Sequence, residues 1–373
     1  MAVHSGILFL LSSCLVAGTL AGPLLRPPTN AGPLLRPPTN ALTSNAAEEN
    51  LRPVIGILAQ EIPGSLEDME EAINKTSYIA ASYVKYLEAA GARVVPVLDG
   101  MPDEYYQWMV QNTNGILFPG GSANITSVSA YGRAGRVIYD LATLSHQNGN
   151  PFPIWGTCLG FELLVFLASG LSITNGFLTS CDSSNVAYPL EFTEDFRESS
   201  LWRELPPELE TDLRTQNLTS NFHIKCYTKE ALAEQSLDEF FHITSLNHDE
   251  AGKEFVSSLE AREFPFFGVQ FHPEKPSFEW DIQKMTGIPH TKEAVEVGQF
   301  LSNVFVEHAR IASPNRFPES HSSLLIYNFP VTYIGDVSSS FEQAYFFSNR
   351  DQTTPMLNGN EQHVLRNSVY KWI

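Results

Sequence analysis

The stretch "PIWGTCLGFE", residues 153–162, sets a cysteine between two glycines where an apolar run ends and a helix-compatible run begins. Gly156-Thr157-Cys158-Leu159-Gly160 predicts strand, tight turn and helix, with Cys158 at the turn. Small flanking residues let the backbone bend sharply and leave the central side chain clear of its neighbours. A nucleophile raised on such a strand–turn–helix elbow is a recurrent catalytic device. Leu159 to Ala168 reads as helix, so the free N–H groups at its start and its dipole would favour a thiolate. The same spacing also suits a buried cysteine that fills a small hole, the common fate of a free thiol. The turn alone leaves both readings open.

Working outward, strand-like and helix-like segments alternate from Leu51. "RPVIGILAQ" (52–60) reads as a buried strand, and "TSYIAASYVKYLEAAG" (76–91) as a helix. In that helix Ile79, Tyr83 and Leu87, with Ala80 and Val84, recur at helical spacing, and Gly91 stands at the C-terminal cap. Next come a strand "ARVVPVL" (92–98), a polar helix near 103–112, and a strand "GILF" (115–118) running into Pro119-Gly120-Gly121. A helix near 131–147 leads back to the cysteine turn. This alternation predicts an α/β fold with a central, mostly parallel sheet flanked by helices. Ligands of such sheets sit at the carboxyl ends of the strands, where Gly120, Gly121 and Cys158 all fall. After residue 170 the pattern is strand-rich: "VAYPLEF", "TSNFHIKCY", "FFHITSLNH", "EFVSSLEA" and "FFGVQFH". A helix over about 291–311 and a β-like "LLIYNFPVTYIG" (324–335) follow, and residues 349–373 show no period.

The chain has 373 residues, 43% of them hydrophobic, enough for a large core. A formal net charge of −19 argues against nucleic acid or an anionic membrane as partner. Residues 7–20, "ILFLLSSCLVAGTL", form an apolar run that ends in small residues, which predicts a signal peptide over 1–22. It is too short to span a bilayer, so the mature chain is expected to be soluble, without a membrane partner. The decapeptide "AGPLLRPPTN" occurs twice in 21–40, and its Pro-Pro pairs make residues 23–50 a linker or pro-segment. The domain then runs over 51–348, with a tail over 349–373. Sequons at Asn74, Asn124 and Asn217 agree with a secretory route. Of four cysteines, Cys14 lies in the signal; an odd three remain, which points to a free thiol. Cys181 and Cys226 are read either as a pair or as two lone buried thiols.

"FPFFGVQFHPEK" (264–275) ends an apolar strand at His272-Pro273-Glu274. Proline stops the strand, so His272 belongs at its end. A cysteine hydrolase needs a group that takes the thiol proton and later protonates the leaving amine, and histidine does both near neutral pH. Glu274 would hold the imidazole in one tautomer.

In this order "FPGG", "WGTCLGFE" and "GVQFHPEK" resemble the class I glutamine amidotransferase-like fold, a flavodoxin-like three-layer architecture. More narrowly, the chain resembles the gamma-glutamyl hydrolases, folate-processing peptidases. "IAASYVKYLEAAGARVVPV", "NGILFPGGS", "WGTCLGFE", "NFH" (221–223) and "FGVQFHPEKPSFEW" carry the likeness, which runs from about Arg52 to about Phe347. The resemblance implies that Cys158 attacks the γ-carbonyl of a glutamyl isopeptide bond in a folate or antifolate poly-γ-glutamate, giving a thioester. It implies His272 as general acid and base, Glu274 as the third member, and the backbone N–H groups of Gly121 and Leu159 as the oxyanion hole. His223, Glu162 and Gly120 are expected to bind substrate, Glu162 because it follows Cys158 by one helical turn. Packing within a strand is the other reading for His223, and a solvated helix position the other for Glu162. Neither a cofactor nor a metal is implied, and a homodimer of the secretory or lysosomal pathway is expected. An acidic chain with a polyanionic substrate needs a local cation, for which Lys75, Lys225 and Lys275 are candidates. The alternatives are a glutaminase that serves a synthetase and a non-catalytic binding protein of the same fold.

Overall fold

The computed structural model describes residues 50–174, 176–338 and 340–349. The expected signal, nearly all of the linker and the tail from residue 350 lie outside the described residues. In chain order β1 (Val54–Leu58), β2 (Gln60–Glu61) and β3 (Ser77–Ala80) lead into helix α1 (Ala81–Ala89). Strand β4 (Arg93–Val97), α2 (Asp103–Asn112), β5 (Ile116–Phe118), α3 (Ala130–Gln147), β6 (Ile154–Thr157) and α4 (Leu159–Ala168) follow. Then come β7 (Thr179–Tyr188), β8 (Glu191–Phe192), α5 (Pro207–Thr215), β9 (Thr219–Cys226), α6 (Lys229–Glu234) and α7 (Leu237–Phe240). The chain continues through β10 (Phe241–His248), β11 (Glu254–Ala261), β12 (Phe266–Val269), α8 (Lys275–Phe278) and α9 (Lys292–Ala312) to β13 (Val331–Tyr333) and β14 (Gln343–Phe347).

The main sheet has eight strands in the order β4-β1-β5-β6-β12-β11-β10-β8. Its first five run parallel and its last three pair antiparallel. Strands β1, β5, β6 and β12 are buried along their whole length, as continuous apolar runs covered on both faces must be. The order reverses at β1: the chain moves to one side to reach β4, then to the other through β5, β6 and β12. Right-handed crossovers therefore put α1 on one face and α3 and α4 on the other. Helix α1 packs with α9, and α3 packs with α4. The carboxyl ends of β1 and β5 thus border the crevice where ligands of such sheets bind.

Two expectations change. The first four residues of the segment expected as helix, Ser77–Ala80, form β3, which pairs with β14 and β2 in a four-stranded sheet ordered β13-β14-β3-β2. Tyr78 and Ile79 bury as well in that sheet as in a helix, and a partner strand more than 250 residues away decided between them. Gly91, at φ 86, does end α1, in the left-handed conformation expected of a helix C-terminus. Of "LLIYNFPVTYIG", only Val331–Tyr333 is strand; the earlier part forms 3-10 turns over 319–324 and 326–328. There the Asn328 side chain donates to the carbonyls of Ser322 and Leu325, a local alternative to sheet pairing.

Candidate active site

Strand β6 runs into Cys158, whose φ of 51° and ψ of −110° no ordinary side chain prefers. Such a conformation costs on the order of 1–3 kcal/mol and persists only where its surroundings impose it. Here the Cys158 N–H donates to the Val269 carbonyl at 2.9 Å, and its own carbonyl accepts from Glu162 N–H at 2.9 Å. Both glycines are required. A Cβ on Gly156 would lie 2.6 Å from the Gly160 carbonyl oxygen, and one on Gly160 would collide with the Phe118 carbonyl. The turn is a nucleophile elbow, and it leaves Cys158 as the free thiol among the described cysteines.

The Pro119-Gly120-Gly121 turn after β5 is pinned from three sides. Gln60 Nε2 donates to the carbonyls of Pro119 and Gly120 at 3.3 and 3.2 Å, and Tyr131 Oη donates to Pro119 at 3.3 Å. Gly120 N–H donates to Tyr83 Oη at 2.9 Å. A Cβ on Gly120 would stand 2.7 Å from His272 Cε1 and 3.2 Å from Cys158 Cβ, so this glycine is the gap that lets the two side chains approach.

His272 lies three residues past the end of β12, its N–H donating to the Ser220 carbonyl of β9 at 2.8 Å. Its Nδ1 is 2.6 Å from Glu274 Oε1, and both side chains are buried. Burial pushes the Glu274 carboxyl up, but the His272 charge, their hydrogen bond and Lys275 outweigh it and hold the group below its ordinary value. An ionised Glu274 fixes the proton on Nδ1 and leaves Nε2 free to act as a base. Burial lowers the His272 pKa against the opposing pull of Glu274.

The thiolate expected at a helix start is not the resting species. Burial raises the Cys158 pKa, the Glu162 and Glu274 carboxylates raise it further, and the Leu159 N–H and Lys275 only partly oppose them. The resting pair is a neutral thiol beside a neutral imidazole. A cavity of about 230 Å³ opens on it, lined by Cys158, His272, Gly121, Lys275 and Phe222 and closed by residues of two loops, 63–66 and 338–341.

A family model described as Peptidase C26 matches residues 53–274. The gamma-glutamyl hydrolase of Rattus norvegicus is 41% identical over 305 residues, covering 80% of this chain and 90% of that one. The gamma-glutamyl hydrolase of Homo sapiens is 40% identical over 299 residues, covering 79% and 90%. The chain belongs to the peptidase C26 family. Gamma-glutamyl hydrolase 1 of Arabidopsis thaliana is 36% identical over 303 residues, covering 80% of this chain and 84% of that one. Among solved structures, one described as a GMP synthase protein from Thermoplasma acidophilum shares 12% identity at a TM-score of 0.40, covering 70% and 96%. The C26 match holds Cys158, His272 and Glu274 and stops before Lys275 and the β13–β14 segment that reaches the cavity.

Other expected residues fare differently within this C26 domain. Gly121 lines the cavity, and the Leu159 N–H reaches the Cys158 sulfur. Gly120 spends its N–H on Tyr83 and its carbonyl on Gln60, so its place is in shaping the turn. Glu162 is buried rather than solvated: Gln270 Nε2 donates to its carboxylate at 3.3 Å, and burial pushes its pKa up to about 8. It is not among the residues lining the cavity. Nor is His223, whose Nδ1 donates to the Lys225 carbonyl at 2.9 Å and whose Nε2 faces the Asn221 side-chain oxygen at 3.2 Å. Its ring meets Phe255 edge-on, 5.0 Å between centroids, so the strand-packing reading describes its position. Phe222, its neighbour, faces the site instead, 5.9 Å from the His272 ring. Of the three candidate cations only Lys275 enters the cavity. Lys225 donates to Ser180 Oγ at 3.1 Å, and Lys75 lines a separate surface hollow with Glu71 and Tyr333. Cys181 and Cys226 form a disulfide that joins β7 to β9. Sequence reasoning missed Gln60, Tyr83 and Tyr131, which hold the Gly120 turn, because polar residues inside apolar elements carry no signal of what they will face.

Proposed function

We propose that this chain is a cysteine hydrolase that cleaves the γ-glutamyl isopeptide bonds of folate and antifolate poly-γ-glutamates through a thioester. The observation that carries this is Cys158 on a strained elbow, set across Gly120 from a His272 that a buried Glu274 holds at 2.6 Å. Because the thiol rests neutral, attack and deprotonation are coupled. Cys158 Sγ bonds to the γ-carbonyl carbon as its proton passes to His272 Nε2, and Glu274 stabilises the imidazolium. The carbonyl oxygen becomes an oxyanion that the N–H groups of Gly121 and Leu159 receive; one such donor is typically worth about 3–4 kcal/mol. Collapse breaks the C–N bond, and His272 returns the proton to the departing amine. Water, deprotonated by the same imidazole, then hydrolyses the thioester and restores the thiol.

The homologues' names support a γ-glutamyl substrate. A secretory or lysosomal route is supported by exposed side chains at all three sequons, Asn74, Asn124 and Asn217. The Cys181–Cys226 bond agrees, since disulfides persist in oxidising compartments. Among the described residues no helix is long and apolar enough to cross a membrane. A homodimer belongs to the same proposal; β13, an edge strand with Val331 and Tyr333 exposed, is a surface that suits a second copy. The deciding experiment incubates the purified chain with pteroyl-triglutamate and weighs the products. Shortened pteroylglutamates with free glutamate or γ-linked glutamyl peptides are expected, with a thioester adduct at Cys158 on rapid acid quench. Ammonia release from free glutamine with the folate chain left intact would overturn the assignment in favour of a glutaminase.

A further inference from the structure

Lys275 is the one cavity-lining residue, among those described, with a fixed positive charge, and it is only 1% exposed. Its ammonium lies 4.1 Å from the ring centre of Phe341 and 5.0 Å from that of Phe222, both of which also line the cavity. Nζ donates to the Ser340 carbonyl at 2.6 Å, which uses one of its three protons. The neighbouring carboxylates are engaged elsewhere. Glu274 holds His272 at 2.6 Å, and Glu279 accepts from the Glu342 N–H at 2.6 Å. A buried ammonium resting on aromatic faces beside an open cavity has capacity for one more anionic partner.

The substrate class supplies one. In a γ-linked chain only the side-chain carboxyl is bonded, so each glutamyl unit keeps a free α-carboxylate four bonds from its γ-carbonyl carbon. An ordinary peptide bond offers no anion at that place. We infer that Lys275 determines specificity for the γ-linkage: its ammonium takes the α-carboxylate of the glutamyl unit whose carbonyl Cys158 attacks. The inference rests on the γ-glutamyl reading above. It also explains why the β13–β14 segment reaches the site, since Ser340 and Phe341 hold the ammonium in place until the carboxylate arrives.

The test compares pteroyl-diglutamate, which has one γ-bond, with an analogue carrying 4-aminobutyrate on the acyl side of that bond, which lacks only the α-carboxylate. Wild-type kcat/KM should favour the diglutamate by about 10–10²-fold, the range of a charge-assisted hydrogen bond. In Lys275→Met the preference should collapse toward unity. Any effect of Lys275 on the thiol acts on both substrates alike and cancels in the ratio. Removing a buried ammonium leaves Glu279 uncompensated, so Lys275→Met is paired with the doubly neutral K275M/E279Q, and thermal unfolding identifies the folded variants. A preference that survives in either folded variant overturns the inference and leaves Lys275 as a latch on Ser340. A wild-type ratio near unity overturns it without any substitution. A wild type that cleaves neither compound overturns the γ-glutamyl reading itself.

Discussion

At the end of β6, Cys158 stands beside His272; on the β7–β9 ribbon, Cys226 stands three residues from His223. Both histidines are buried, and each meets a phenylalanine edge-on, Phe222 in one case and Phe255 in the other. The partners separate them. His272 has a carboxylate at Nδ1, which can stabilise a proton gained at Nε2, and a free thiol near it at the mouth of a cavity. His223 has a backbone carbonyl at Nδ1 and an amide oxygen at Nε2, its neighbouring sulfur is oxidised, and burial lowers its pKa to about 4. Burial and residue type are shared by the two places. A compensating charge, a free thiol and an opening to solvent belong to one.

The comparison breaks first at the thiol. Cys158→Ala should bring turnover to background with the circular dichroism spectrum unchanged; a folded variant that still releases glutamate would move the nucleophile elsewhere. His272→Ala should follow, with kcat down by about 10²–10⁴-fold, the usual worth of general acid–base catalysis. Because burial lowers the His272 pKa, the acid limb of wild-type kcat/KM should lie below the ordinary imidazole value of 6.5. A limb above 6.5 would mean that the imidazole is not desolvated as described.

His223→Ala should change kcat/KM less than tenfold and cost about 1–3 kcal/mol of stability, read by urea unfolding, since buried oxygens lose their partner. A loss of turnover matching that of His272→Ala would dissolve the distinction. Replacing Cys181 and Cys226 together by Ser should cost about 2–4 kcal/mol, as for a bridge that closes a loop of this size (sequence separation 45), with Cys158 alkylation unchanged.

The smallest effect concerns a buried carboxyl between the two places. Glu162 is raised in the native state from 4.5 to about 8, so the folded chain keeps a proton that the unfolded chain gives up. Stability from this group is complete below pH 4.5 and is lost as pH rises toward 8. The three histidines with lowered values act in the opposite sense below 6.5, so the carboxyl is best read above that pH. Between pH 6.5 and 8 Glu162→Gln should abolish a decline of about 1.4 kcal/mol per pH unit in urea-derived stability. Equal slopes in the two proteins would place the carboxylate in contact with solvent.

Much of this was written locally. Strands β1, β5, β6 and β12 were legible because both faces are buried and the apolar run is continuous. The elbow was legible because two glycines flank Cys158, and the place of His272 because Pro273 ends the strand. Less legible were β3, whose residues at 77–80 fit a helical period, and β14, which lies where no period was read. Serines 338 and 340 sit in a polar stretch that nothing local connects to Cys158.

The sequence by itself determined the parallel α/β frame, the cysteine turn and the order of the chemical groups along the chain, because apolar period, glycine and proline act within a few residues. Only the tertiary structure decided that His272 and not His223 faces the thiol, that Cys181 and Cys226 join, that Lys275 lines the cavity, and that the resting thiol is neutral. Those outcomes depend on which distant segments exclude water from a group and which charges they leave beside it. Desolvation and partner charge are properties of the packed chain, and no local stretch contains them.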